Sequence, residues 1–495
     1  MNNFSGDLDD DIDETYRNLM AGKIGDITAS DFHKLLKISE KFGHQCAFGK
    51  AIDIIKFLTR KFPDIAHLFF NLAGLYAWIG DNKNQIASAG KFLDLIYEPL
   101  NKYPDLGVRV ITYDWFIGNI GETADQLEGL IKGRLLGFLP VAPQILHAPP
   151  EKVVNDAMLK AFSSFVSIIE DPTDIDSQQS LRIHCPLIMY YVRLPRVGNK
   201  VFFKSQAYRF FHQKWEQEER GALLQLSESD LEKGRQELER LGLGPEDWFV
   251  CLHIREQGYA TADGNDVDFN KMRNVEVSAY LPAIEEITRR GGWVIRLGGK
   301  HHTPLPQMPK VIDYPNLPDP IHGMEVFFCA KNKFFLGCTS GPSAIPKLFD
   351  RPVLLTDAFS LPDMNVASLT TILPKRVYSR SDRRYLRINE LYDSPLTTAV
   401  HHKILEAFGL EVECNSPEQI RRAVIDFMAS LDANDMTFGV NPEDQEKAES
   451  ALIQQGTLLL GKFAPSFIAD NPEWLEPPEK PWKYFHKTAL DTGQF

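Results

Sequence analysis

The sequence lacks any long apolar run. No stretch of its 495 residues approaches the roughly 20 consecutive apolar residues that a transmembrane helix needs. Residues 1–15 are acidic and so lack the basic and apolar parts of a secretory leader. We therefore expect a cytoplasmic protein, with any membrane association peripheral and at the inner face.

Positive charge is also scarce, since the formal net charge is −13. Nucleic acid is not an expected partner, because phosphate backbones require clustered lysine and arginine. The one local exception is a group of arginines at positions 376, 380, 383, 384 and 387. These could face an anionic acceptor or a membrane surface, but a solvated loop with scattered salt bridges is the favoured interpretation.

Cysteine is sparse and shows no metal-binding spacing. The six cysteines are Cys46, Cys185, Cys251, Cys329, Cys338 and Cys414. Several fall in predicted strands or helices, where they are expected to be small buried groups in a reducing compartment. The hydrophobic content of 43% and charged content of 24% are typical of a globular protein long enough for two or three domains. No metal site is predicted.

What the sequence does contain is an apolar stretch, residues 248–254, that runs directly into polar residues. His253 and Arg255 lie on the same side of an extended chain, because side chains alternate along a strand. Ligands of open α/β sheets bind outside the carboxyl ends of the strands. An arginine there suits a phosphate or diphosphate, so an anion site is predicted.

Strand and helix patterns alternate after this point. Helices are predicted over 278–290 and 324–330, and strands over 293–298, 311–313, 333–337 and 351–357. Residues 338–343 form a predicted turn that opens a helix reaching Phe349. This alternation predicts a doubly wound parallel sheet.

The amino-terminal part is different in character. Residues 30–97 have a continuous amphipathic helical pattern, and residues 66–81 resemble one tetratricopeptide hairpin. A stable array needs about three such repeats, and the sequence does not show a convincing third. We interpret the region as a helical cap or dimerisation module rather than a peptide-binding array. A βα unit follows at 107–136.

One combination of motifs resembles a known family. It comprises His253-Ile254-Arg255, Arg273-Asn274, Tyr280, the strand ending at Gly298, and Phe334 to Gly337 with Ser340-Gly341-Pro342. Together they resemble a group of bacterial glycosyltransferases that are distantly similar to nodulation-factor and core α1,6-fucosyltransferases. The resemblance covers residues 105–430 and is best over 248–360. It implies an inverting enzyme that needs no metal.

The resemblance also implies a fold. We expect an α/β protein with a GT-B-like pair of Rossmann-like domains and an N-terminal α-helical, tetratricopeptide-like module. The expected divisions are the helical module (1–104), an acceptor domain (105–243), a nucleotide-sugar-binding domain (244–430) and a helical or irregular tail (431–495).

Several residues are candidates for binding the donor. Negative charge develops on the leaving diphosphate, so Arg255 and the backbone amides of the Ser340-Gly341-Pro342-Ser343 turn are expected to stabilise it. Arg296 also ends a strand, and could contact the donor or pair with Asp313. Arg273 and Asn274 match the family's next motif, and could touch the donor, brace the loop over 256–270, or only precede a helix.

A catalytic base is harder to find. His253 and Glu256 are the candidates beside Arg255, and His253 could instead hydrogen-bond the donor or be a structural histidine. Asp114 and Glu122 are alternatives in the first domain. The family has a Gly-His pair where this chain has Gly118-Asn119, which puts a base at that position in doubt.

The sequence therefore predicts a glycosyltransferase that moves a sugar from a nucleotide-diphosphate sugar to a glycan, lipid-linked or protein acceptor, in surface glycan or glycoconjugate synthesis. The donor is a substrate, and no cofactor is expected. Two alternatives remain: a helical-repeat interaction protein with a non-catalytic Rossmann-like domain, or a sugar-nucleotide epimerase of the same fold. Association of two chains through the N-terminal helices is also open.

Overall fold

The computed structural model describes residues 12–24, 27–45, 47–79, 81–101, 108–112, 117–139, 144–171, 180–183, 191–256, 268–300, 302–359, 366–392, 405–406, 408–435, 437–453, 461–479 and 482. None of the helices in these ranges combines the length and the apolar character needed to cross a bilayer.

The amino-terminal region is made of helices that pack on one another. They are α1 (Ile12–Met20), α2 (Ala29–His44), α3 (Phe48–Lys61), α4 (Ala66–Trp78) and α5 (Asn82–Asn101). Each of α2, α3 and α4 packs against the helix that follows it. The fully buried Ala51 and Ala73 allow a close approach between helices. The predicted helical pattern of this region is confirmed, whereas a separate, tetratricopeptide-like module stays a prediction.

The first α/β domain contains a four-stranded parallel sheet in the order β3-β2-β1-β4. Its elements are β1 (Val108–Thr112), α6 (Ile120–Leu135), β2 (Gln144–His147), α7 (Asp156–Ala161), β3 (Ser167–Ile169) and β4 (Ser180–Ile183). An antiparallel hairpin, β5 (Tyr191–Leu194) and β6 (Lys200–Phe203), packs on α5 and leads into α8 (Lys204–Gln217). The predicted βα unit is confirmed.

The second α/β domain is built on a seven-stranded, all-parallel sheet in the order β16-β12-β11-β10-β7-β8-β9. In chain order, the first elements of this domain are α9 (Glu228–Arg240), β7 (Phe249–His253), α10 (Leu281–Arg289), β8 (Trp293–Arg296), β9 (Val311–Asp313), α11 (Met324–Lys331), β10 (Phe334–Gly337), β11 (Val353–Ala358) and β12 (Thr370–Pro374). The predicted doubly wound sheet is confirmed. Its strand order reverses between β7 and β10, which is where such sheets bind ligands.

The remaining chain completes this domain. It forms β13 (Arg376–Ser379), β14 (Arg384–Tyr385), α12 (Ile388–Tyr392), β15 (Leu410–Glu413), α13 (Pro417–Asp432), α14 (Pro442–Ile453), β16 (Lys462–Phe463) and α15 (Pro465–Asp470). Because β16 pairs with β12 and α15 packs on α13, the described part of the predicted tail belongs with the second domain.

Three members of the arginine group, Arg376, Arg380 and Arg384, are engaged in ion pairs. Arg376 pairs with Glu413 at 2.8 Å, and Arg380 pairs with Glu411 at 2.5 Å. Arg384 pairs with Glu390 at 2.7 Å. The salt-bridged interpretation of these arginines is thus the one that the structure supports.

The predicted helix over 343–349 is wrong. The chain forms two 3₁₀ turns instead, Gly341–Ala344 and Pro346–Phe349. Pro346 has no N–H to donate to the carbonyl of Pro342, and its ring would clash with that carbonyl in an α-helix. The turn after β10 therefore has no α-helix behind it, and the helix macrodipole expected there is absent.

The two α/β domains share one continuous apolar core. Leu127 and Phe211 of the first domain lie in the same buried cluster as Val250 and Leu348 of the second. The backbone N–H of Leu224 donates to the carbonyl of Leu348 across the junction at 3.0 Å.

Charged side chains are buried in this junction as well. We call Asp125, Glu128, Lys132, His212 and Lys347 the interdomain charge cluster. Lys347 of the second domain pairs with Asp125 and, at 3.2 Å, with Glu128 on α6. Lys132 reaches Glu128 at 2.9 Å and donates to Nδ1 of His212 at 3.0 Å. The other ring nitrogen of His212 lies 3.3 Å from Glu128.

The geometry fixes the charge state of His212. Because Nδ1 accepts from an ammonium group, the ring is neutral and its Nε2–H faces Glu128. Burial lowers the pKa of His212 to about 4, in agreement with a neutral ring. Burial alone would raise the pKa of Glu128, but the hydrogen bond from His212 and the ammonium groups of Lys132 and Lys347 outweigh it and hold that pKa well below its ordinary value.

Two glycines bring the domains into backbone contact. A Cβ atom on Gly121, in the first turn of α6, would lie 2.5 Å from the Cα of Gly341. A Cβ atom on Gly341 would lie 3.1 Å from the amide nitrogen of Gly121. The first turn of α6 therefore abuts the turn that follows β10.

Candidate functional site

Most of the sequence-predicted donor residues meet at the point where the strand order reverses. His253 is the last residue of β7 and is paired with Gly337, the last residue of β10. A Cβ atom on Gly337 would lie 2.4 Å from the carbonyl oxygen of His253, so only glycine permits this approach. The N–H of Arg255 then donates to the Sγ of Cys338 at 3.1 Å. Burial raises the pKa of Cys338, which keeps this thiol neutral as an acceptor.

The Ser340 turn lies beside this strand end. The hydroxyl of Ser343 donates to the carbonyl of Ser340 at 2.6 Å, so Ser343 stabilises the turn. The Oγ of Ser340 is buried and has no hydrogen-bond partner among the described residues. Gly341 makes the close contact with Gly121 across the domain junction, which accounts for a glycine at this position. Ser340 is thus the hydroxyl of the turn that remains available to a ligand.

Arg273 braces this turn. Its Nε and Nη2 donate to the carbonyl of Thr339 at 3.0 and 2.8 Å. Two residues later, the N–H of Val275 donates to the carbonyl of Arg255 at 2.8 Å. Residues 273–275 therefore hold both Arg255 and the Ser340 turn. The structure shows Arg273 in a bracing role, which is one of the roles predicted for it, but the segment that it braces is the turn after β10. Residues 257–267 of the predicted loop lie outside the described residues.

Arg296 and Glu256 pair with each other. The Arg296 guanidinium is fully buried, and it donates to Oε2 of Glu256 at 2.7 Å and to Oδ1 of Asp313 at 3.3 Å. Oε2 of Glu256 also accepts from the N–H of Thr303 at 3.0 Å. The pairing of Arg296 with Asp313 is confirmed as the structural alternative. A base role for Glu256 and donor contact for Arg296 stay predictions, and neither is favoured by this geometry.

A second histidine, which the sequence analysis missed, lies against His253. The rings of His253 and His302 pack edge to face, with centroids 5.7 Å apart. His302 follows β8 and accepts from the N–H of Gly299 at 3.3 Å through Nδ1. Its position in the segment that follows β8 was the signal that could have identified it.

The first domain contributes different groups. Asn119 caps α6 by accepting from the N–H groups of Gly121 and Glu122 at 3.1 and 3.3 Å. Glu122 accepts from Lys204 at 3.0 Å, so the structure shows it as an ion-pair partner. Asp114, the other alternative base, lies outside the described residues.

The site concentrates positive charge and hydrogen-bond donors at a sheet's carboxyl edge. His253, Arg255 and Ser340 are nearly buried, at 6%, 9% and 7% exposure, in a setting that strengthens electrostatic contacts with an anion. Within the described ranges, no three histidine, cysteine or carboxylate side chains are grouped as metal ligands. The expectation that the site needs no metal stays a prediction.

Comparisons with known proteins give loose structural neighbours. The sequence matches no protein-family model and no curated protein. A glycosyl transferase family 9 protein from Veillonella parvula is 13% identical with a TM-score of 0.37, covering 67% of this chain and 98% of that one. The ADP-heptose lps heptosyltransferase II of E. coli is 11% identical with a TM-score of 0.34, covering 66% and 99%. Overlaps this loose do not decide the activity of the chain, and the fucosyltransferase resemblance stays a prediction.

Proposed function

We propose that this protein is a glycosyltransferase that moves a sugar from a nucleotide-diphosphate sugar to an acceptor hydroxyl. The observation that supports this most directly is the meeting of Arg255 and the Ser340 turn at the strand-order reversal, with residues 273–275 holding both. A doubly wound domain binds nucleotides at that place. We assign the acceptor to the side of the four-stranded parallel sheet of the first domain, across the junction.

In the proposed reaction, the acceptor oxygen forms a bond to the sugar carbon while the bond to the diphosphate breaks. The diphosphate gains negative charge as it leaves, and Arg255 with the hydroxyl of Ser340 stabilises that charge. Of the two candidates for the base beside Arg255, we retain His253, because Glu256 is paired with Arg296. From the family resemblance, we further propose that the reaction is inverting, needs no metal and uses a glycan, lipid-linked or protein acceptor.

The proposal is tested by ligand binding. A panel of UDP-, GDP-, ADP-, dTDP- and CMP-linked sugars is screened by thermal shift and calorimetry. A ligand at about 100 times its dissociation constant adds about 2.7 kcal/mol of apparent stability. We expect one nucleotide class to bind, and Arg255→Ala to abolish that binding.

The matched control is Arg421→Ala, which removes an exposed arginine paired within α13. It should bind the ligand as the unmodified protein does. If a folded protein binds none of the nucleotide sugars, the proposed function is wrong and the interaction-protein alternative gains.

A further inference from the structure

A buried lysine lies close to the donor site, and the sequence analysis did not single it out. Lys375 directly follows β12 and is 2% exposed. Its ammonium donates to the carbonyls of Met272 and Asn274 at 2.7 and 3.2 Å, and to the Sγ of Cys414 at 3.2 Å. Oδ1 of Asp357 lies 3.9 Å away. We call these five residues the Lys375 network.

A rigid frame surrounds this lysine. The backbone N–H of Asp357 donates to the side chain of Asn415 at 2.6 Å, and the N–H of Asn415 donates back to Asp357 at 2.8 Å. The side-chain amide of Asn415 also donates to the carbonyl of Pro374 at 2.9 Å. Asp357 has a φ of 48°, a left-handed conformation that persists in a non-glycine residue only where the surroundings enforce it. The ends of β11 and β12 are thereby fixed together.

The carbonyls that Lys375 holds belong to the segment that braces the site. Met272 and Asn274 are the two neighbours of Arg273, whose guanidinium binds the carbonyl of Thr339. Val275, the next residue, binds the carbonyl of Arg255. One chain of contacts thus runs from Lys375 through residues 272–275 to both halves of the donor site.

The ammonium group of Lys375 orients the acceptors around it. It offers three donors, and here the donors reach two backbone carbonyls and a thiol. Burying such a charge is costly unless it is well coordinated. A methionine could fill the same volume, but it would donate to neither carbonyl and would leave the segment without its anchor.

We propose that Lys375 is a positioning residue of the donor site, which sets Arg255 and the Ser340 turn by anchoring the backbone on either side of Arg273. This inference rests on the proposed function. It assigns Lys375 no contact with the donor, and it predicts that its effect on ligand affinity passes through Arg273.

The test measures the affinity of the full-length chain for UDP, GDP, ADP and dTDP by calorimetry, well below the melting transition. For the nucleotide that binds best, we expect Lys375→Met to weaken binding by about tenfold or more. Lys375→Arg, which restores a buried cation with several donors, should regain part of the loss. Lys132→Met, a buried lysine of the interdomain charge cluster, should lower stability yet change affinity by no more than about twofold.

A double-mutant cycle with Arg273→Met makes the test specific. If Lys375 acts through Arg273, the double variant should bind about as weakly as the weaker single variant. The inference would be overturned by fully additive losses of affinity in the double variant, or by unchanged affinity in a folded Lys375→Met variant. In either case the proposed function would still stand, because the wild-type protein binds a nucleotide. If Lys375→Met does not fold, unchanged affinity in Arg273→Met overturns it equally. A wild-type protein that binds no nucleotide overturns the proposed function itself.

Discussion

Lys347 and Lys375 are both almost fully buried, yet they are held in different ways. Lys347 faces two carboxylates, Asp125 and Glu128, that belong to the other α/β domain. Lys375 donates mainly to backbone carbonyls within its own domain, and its nearest carboxylate oxygen is 3.9 Å away. The first lysine joins two domains by opposite charge, whereas the second orients one backbone segment.

The difference indicates what each buried charge is for. An ion pair between domains depends on the ionisation of its partners, so its strength changes with pH. Backbone carbonyls do not titrate, and their directions are fixed by the chain. We therefore expect the interdomain charge cluster to govern stability and the Lys375 network to govern ligand affinity.

The largest expected effect is that of Lys347→Met. Removing one partner of a buried ion pair leaves an uncompensated charge, and we expect a loss of about 3–5 kcal/mol in the free energy of unfolding. Urea unfolding followed by circular dichroism measures it. Lys333→Met, which breaks a pair with the exposed Asp432, is the control and should cost about 1 kcal/mol or less. Equal losses in both variants would show that burial in the junction adds nothing.

The pH dependence of stability should sharpen the comparison. The folded pKa of His212 is about 4, against 6.5 for an ordinary histidine. Between these values the unfolded chain binds a proton that the folded protein does not, so stability is lost as the pH falls from 6.5 towards 4. That difference in pKa corresponds to about 3 kcal/mol.

The variant His212→Gln isolates this contribution. Glutamine keeps an acceptor for Lys132 and a donor towards Glu128, but it does not titrate. The difference in unfolding free energy between the two proteins should shift by about 3 kcal/mol between pH 7 and pH 4. A difference that is independent of pH would mean that His212 is not held neutral in the folded protein.

The parallel sheet of the second domain could be predicted because its strands are continuous apolar runs. β7, β8 and β10 fall within the predicted ranges, since fully buried parallel strands leave this pattern in the sequence. The helix over 343–349 could not be separated from a turn by its apolar pattern. The spacing of Pro342 and Pro346 was the overlooked signal, because the second proline blocks an α-helix.

Long-range polar contacts were beyond the sequence. Lys347 and Asp125 are 222 positions apart, and no local pattern links them. Arg296 illustrates the same limit within the site, because it pairs with Glu256, which lies 40 positions away. Arg255, His253 and the Ser340 turn were predictable, because parallel strands bring their carboxyl ends to one edge.

A steric test of the domain junction should have a smaller effect. Gly121→Ala places a methyl group 2.5 Å from the Cα of Gly341, so the backbones must separate. We expect a loss of about 1–3 kcal/mol, as for other overpacked contacts. The control is Gly74→Ala in α4, where a Cβ atom meets nothing within 4 Å. There the higher helix propensity of alanine should add up to about 1 kcal/mol. Thermal unfolding would distinguish the opposite signs, and a neutral Gly121→Ala would mean that the domains can separate freely.

The smallest expected effect concerns Cys414, the exposed member of the Lys375 network. Cys414→Ser keeps an acceptor for the ammonium group, and we expect the unfolding free energy to change by about 0.5 kcal/mol or less.

Cys414→Val removes the acceptor but leaves Lys375 bound to the carbonyls of Met272 and Asn274. If those carbonyls are the main anchors, nucleotide affinity in both variants should stay within about twofold of wild type. If Cys414→Val weakens binding as much as Lys375→Met, the thiol would be an essential anchor. The distinction between Lys347, which is held by carboxylates, and Lys375, which is held by backbone carbonyls, would then need revision.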